Sequence, residues 1–184
     1  KALKNSSFKI SVDLKEPLPE EWVGDVGFNI ELFPGHLFGK SYIMDGQTGH
    51  FPRQPNGPVI QKQDSYVTES LASGHQLTIV PENELQRIQF QSKGKLELYD
   101  GRANHNNGWF ILRETIPANS SHNVIEWIVS PNVVPDWKYG PVIHHSQVGY
   151  HPHQEKQIII ETDGKTNSLD SARLLKTTPG GLQE

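Results

Sequence analysis

The chain has 184 residues, a formal net charge of −4, a hydrophobic fraction of 34% and no cysteine. That length can bury roughly 70% of the unfolded surface, and the missing cysteines exclude disulfides and thiolate metal sites. The basic residues are scattered rather than clustered, which argues against a nucleic-acid-binding face, and no run approaches the ~18 apolar residues of a membrane span.

Apolar residues alternate with polar ones along most of the chain. Phe8, Ile10, Val12 and Leu14 sit at period two, and so do Val26, Phe28, Ile30 and Leu32. Further strands are expected over 77–80, 88–90, 96–98, 109–113, 124–129 and 158–160, each with one face on a core and the other in water. Helix-period segments are short, 82–87 and 168–175 being the best. Gly and Pro fall between the alternating runs as turn punctuation. Asn83-Glu84 after Pro81 reads as a hairpin connection. Asp100-Gly101 reads as a tight hairpin turn, because Asp-Gly supplies positive φ. The polar stretch from Arg102 to Gly108 follows as a loop.

The segment 33–58 departs from this pattern. It carries Pro34, Pro52, Pro55 and Pro58 among five glycines, with Phe38, Tyr42, Phe51 and Arg53 embedded. A long irregular loop is expected here, either functional or a stiff crossover between two sheets. Many short strands with frequent turns predict an all-β, antiparallel β-sandwich.

Pro131 and Pro135 flank a break, since such spacing cannot continue a central strand. The first domain is placed at 1–135 and a second module at 136–184. That module offers an opening strand from His144 to Tyr150, a second from Gln157 to Glu161, and a third apolar stretch from Ala172 to Leu175. So few strands barely make an independent sheet, so the module is expected to be truncated. Its apolar residues Val148, Tyr150, Ile158, Ile160, Leu174 and Leu175 are then expected to be buried only where another segment covers them.

The string Gln147-Val148-Gly149-Tyr150-His151-Pro152, preceded by Val142-Ile143 and followed by Lys156 and Ile158-Ile159-Ile160, resembles the opening of a known module. That module is the immunoglobulin-like domain before the catalytic domain of family-nine cellulases and related six-hairpin glycosidases. The likeness covers about 141–163. Upstream, 39–42, 51–58 and 106–110 are similar to the N-terminal β-rich region of six-hairpin glycosidase-like proteins of polysaccharide-degrading bacteria. The resemblance implies a bacterial periplasmic, secreted or cell-surface protein, a polysaccharide as partner, and a downstream helical-barrel catalytic domain against which this region packs. In that family the catalytic acid and base lie on the barrel, so no catalytic residue carries over.

Glu31, Glu97, Glu114 and Glu126 are read at the polar phase of strands, as a solvated face rather than the paired acids of glycoside hydrolysis. No Gly-x-Ser-x-Gly elbow or phosphate loop is present. His144, His145, His151 and His153 are close in sequence, but Pro152 interrupts strand geometry and exposed hairpin histidines are the default, so no metal or other cofactor is assigned. Asp45-Gly46-Gln47-Thr48-Gly49 lacks the acidic positions of a calcium loop and reads as a glycine turn. Trp127 is in phase with Ile125 and Val129 and belongs to the core. Trp109 follows an amide-rich loop and is either a packing residue or a sugar subsite, because sugars need both an apolar ring face and hydroxyl partners. Carbohydrate contact is assigned to Trp109, Asn107, Tyr42 and Arg53. The alternative to an enzyme's front section is a stand-alone carbohydrate-binding or cell-surface interaction module.

Overall fold

The computed structural model describes residues 1–4, 6–55, 57–62, 65–103, 108–164, 169 and 171–184. The protein is all-β, with 43% of the described residues in strands, 5% in short 3-10 helices, and antiparallel pairing throughout. It divides into two compact units, Lys1–Val134 and Pro135–Glu184.

The first unit is organised by one long strand. In chain order its strands are β1 (Phe8–Val12), β2 (Gly27–Leu32), β3 (Ser41–Met44), β4 (Gln47–His50), β5 (Val59–Lys62), β6 (Ser65–Thr68), β7 (Ala72–Ile79), β8 (Ile88–Asp100), β9 (Phe110–Thr115) and β10 (Ile125–Pro131). The first half of β8 pairs with β10, and its last residues pair with β9. One path therefore runs β1-β10-β8-β7-β3-β4, while β2 and β9 branch from the far end of β8. On the β7 side the ladder steps from Gly74 to Gln76 while β8 steps from Leu96 to Gln91. That irregularity is a break in the β7–β8 ladder of the kind that bends a strand. Asp45 fixes it: its carboxylate accepts the backbone N–H groups of His75 (2.9 Å) and Gln76 (2.8 Å), and His75 Nδ1 lies 2.8 Å from the Gly94 carbonyl.

The core follows the pleat. Phe90, Leu96, Leu98 and Asp100 of β8 are buried, as are Phe110, Leu112 and Glu114 of β9 and Ile125, Trp127 and Val129 of β10. Period two places each set on one face. Trp127 is the largest fully buried side chain, with Phe28 (5.1 Å) and Phe90 (6.1 Å) edge-on to it.

Several expectations need correction. The segment 33–58 is not one irregular loop: it contains the hairpin β3–β4, closed by Asp45 (φ 46°) and Gly46 (φ 83°). Two successive positive φ values match the strand twist of a tight hairpin, so Asp45-Gly46 is the Asp-Gly hairpin turn. Asp100-Gly101 is not; Gly101 opens the 3-10 turn Gly101–Ala103. It needs to be glycine for space, since a Cβ there would meet the Trp109 carbonyl oxygen at 2.6 Å. The runs read at 88–90 and 96–98 are one strand. Residues 82–87 form turns within the β7–β8 connection, and 171–175 carry no helix, the rest of the 168–175 candidate lying partly outside the described residues. Glu114 does not belong to a solvated face: it is 5% exposed, and its Oε2 accepts the Trp127 indole N–H at 2.6 Å.

The second unit contains two ribbons among its described residues, β11 (Val142–His144) with β12 (Ile159–Glu161), and β13 (Lys176–Thr178) with β14 (Gly181–Gln183). The opening strand is thus 142–144, and 145–150 turn away from it. Tyr150 holds that turn, its hydroxyl accepting the Ser146 N–H at 3.1 Å and donating to the Gln157 carbonyl. Within the unit Val148 is 99% and Leu174 91% exposed. Ile158 and Leu175 are also exposed, and Tyr150 and Ile160 half-buried. The apolar face of these short ribbons is largely open.

Candidate functional site: an aromatic ledge at the end of β2 and β9

The register of the edge strand β2 against β9 sets this site. Gly27 faces Thr115 and Leu32 faces Phe110, so one further step brings Phe33 opposite Trp109. Along β2 the apolar phase is Phe28, Ile30 and Leu32, which leaves Phe33 on the outward phase, and Trp109 is likewise one step out of phase with buried Phe110. Both rings are thus turned away from the core at a place where polar side chains are the rule. Phe33 is 53% and Trp109 36% exposed. Their rings meet edge-to-face, 5.4 Å between centroids at 61°. Pro34 then starts the 3-10 turn Pro34–His36, which folds the exposed His36 ring back onto Phe33 at 5.2 Å. Gly35 makes the room, because a Cβ there would lie 2.8 Å from the Phe33 ring.

A buried ion pair underlies the ledge. Asp100 is fully buried, and Arg102 grips both of its oxygens, Nε to Oδ1 and Nη2 to Oδ2, each at 2.8 Å. The same guanidinium donates to the carbonyls of Pro52 (2.6 Å) and Arg53 (3.0 Å). It also lies over the rings of Phe38 (4.9 Å) and Phe110 (4.7 Å). Such stacking and bidentate pairing suit Arg and not Lys. Arg102 therefore ties the 52–53 backbone to Phe110, the residue next to Trp109.

The four residues assigned to sugar contact occupy different surroundings. Trp109 stands on the ledge. Arg53 is exposed, and its guanidinium would lie 3.4 Å from a Cβ on Gly39, while its carbonyl is held by Arg102. Tyr42 is buried in the core against Phe51 (5.3 Å), its hydroxyl donating to the Leu71 carbonyl at 3.3 Å. Burial raises the pKa of that phenol and keeps it neutral. Asn107 lies outside the described residues, as do 104–106 of the same loop.

Sequence reasoning missed Phe33 and His36. The available signal was an aromatic residue continuing β2 in the outward phase, but its partnership with Trp109 depends on strand register, which one sequence does not reveal. Among the described residues no three His, Cys, Asp or Glu side chains gather as a metal site, and none of the helices is long and apolar enough to cross a membrane. No family model, curated protein or solved structure matches the chain.

Proposed function

We propose that this chain is a non-catalytic β-rich section of a bacterial glycoside hydrolase and meets its polysaccharide through the Phe33–Trp109 ledge. The outward-facing aromatic pair carries the reading. Two large rings stand together on the polar phase of the sheet, Phe33 about half and Trp109 about a third exposed, and an apolar ring face is what a pyranose stacks on. The resemblance of 141–163 to the module preceding a helical-barrel glycosidase domain supports the same reading. The open apolar side chains of the second unit, Ile158 and Leu174 among them, are the surface suited to packing against such a domain. On this reading the protein acts in the periplasm or outside the cell.

The test is glycan binding by the purified chain, followed by affinity electrophoresis in gels containing soluble polysaccharides. Retardation by at least one glycan is expected, weakened about tenfold by Trp109→Ala and by Phe33→Ala, since ring stacking contributes about 1 kcal/mol or more. Unchanged mobility of both variants would overturn the ledge as the contact.

A further inference from the structure

A polar groove lies on the first unit, where the ribbon β5–β6 stands beside β8 and β9. One cavity of about 310 Å³ is lined by Asn29, Tyr66, Thr68, Tyr99 and Arg113. A neighbouring cavity of about 380 Å³ shares Val67, Thr68 and Tyr99 with the first and extends past Glu69 to Lys95 and Glu97. The shared residues place the two cavities side by side, and each volume is within the range of small-molecule sites. Two tyrosines provide its ring surface. Tyr66 is 77% exposed and gains little from the fold. Tyr99 comes from the floor strand, and the phenol is held protonated by burial and by the Glu97 carboxylate beside it. Around these rings stand the Asn29 amide, which can donate to and accept from neighbouring hydroxyls of one ligand, and the Arg113 guanidinium, one end of which donates to the Asp25 carbonyl.

The charges of the lining define the ligand further. Lys95 and Glu97 neutralise one another at 2.9 Å, and of the remaining lining groups Arg113 and Glu69 are opposite in sign. No net charge favours an anion or a cation. We propose that this groove is a second glycan site, taking a neutral oligosaccharide chain along β6. The proposal rests on the reading that the chain contacts glycans, yet it involves none of the ledge residues.

Calorimetric titration of the whole chain with soluble neutral glucan, xylan and mannan oligosaccharides, and with oligogalacturonate as a charged control, tests it. Tyr66→Ala removes an exposed ring and leaves the core intact; Tyr99→Phe removes only a hydroxyl. With a neutral ligand the first should weaken binding about tenfold and the second severalfold, and Tyr66→Ala combined with Trp109→Ala should abolish it. If both tyrosine variants bind like the parent while Trp109→Ala binds poorly, the groove is not a site and the ledge stands. If Tyr66→Ala loses binding and Trp109→Ala does not, the groove stands and the ledge falls. Tighter binding of the oligogalacturonate overturns the neutral class, and no binding of any glycan overturns both readings.

Discussion

Asp100 shows how much a single buried charge constrains this fold. A carboxylate with no exposed surface is tolerated only when paired and fully hydrogen-bonded, and Arg102 supplies both the charge and the fork. Removing Arg102 leaves that carboxylate stranded and frees the 52–53 carbonyls. Arg102→Ala should therefore lower stability by about 3–5 kcal/mol in urea unfolding. Arg102→Lys should lower it less, because the charge survives while the two-pronged geometry does not. Adding Asp100→Asn to Arg102→Ala should recover part of the loss, since the stranded group is then neutral. A loss below about 1 kcal/mol for Arg102→Ala would mean that water reaches Asp100 and that the pair is a surface ornament. Because Arg102 stacks on Phe110, the same substitution should also loosen Trp109, visible as a change in its fluorescence.

One glycine governs how β8, β9 and β10 pack together. Gly94 of β8 faces Glu114 of β9, whose carboxylate receives the Trp127 indole N–H from β10. A Cβ at 94 would fall 1.9 Å from Glu114 Oε1, so Gly94→Ala must displace the carboxylate and orphan the indole N–H. The expected cost is about 1–3 kcal/mol. Glu114→Ala alone should cost a similar amount, and in its background Gly94→Ala should become nearly neutral, a coupling that a double-mutant cycle reads directly. Simple additivity of the two would disprove the contact. The same strands show what was legible in the sequence. Period two revealed β1, β2, β9 and β10 and the last three residues of β7, because each has one face in the core. It also held the position of Glu114, which continues the Phe110–Leu112 phase; reading that residue by its charge rather than its phase put it in solvent. The hairpin β3–β4 was hidden among prolines and glycines that look like loop, although Asp45-Gly46 marked its turn. The ledge stayed hidden for a different reason: Trp109 was visible as an aromatic beside amides, whereas Phe33 joins it only through the β2–β9 register, a nonlocal property.

At the scale of the molecule the two units differ in how their backbone is protected. In the first, β7, β8, β9 and β10 are interior strands or border a continuous core, so their amides open only when much of that unit unfolds. In the second, ribbons of three residues carry few ladder bonds, and isolated two-stranded ribbons are marginal in water. Its apolar side chains contribute little burial of their own, Val148 and Leu174 being almost wholly solvated. Hydrogen exchange of the full chain should therefore show two tiers. Amides of β8 and β10 should exchange near the global limit, and those of β11, β12, β13 and β14 should be protected at least about a hundredfold less. Substitution in the weak tier should leave the main transition unmoved: Leu174→Ser should change the stability of the first unit by less than about 0.5 kcal/mol, as for an exposed site, whereas Leu98→Ala, in the core, should cost about 2–5 kcal/mol. Equal protection in both tiers, or a main transition that shifts with Leu174→Ser, would show that the second unit is stabilised by packing that its open ribbons do not supply.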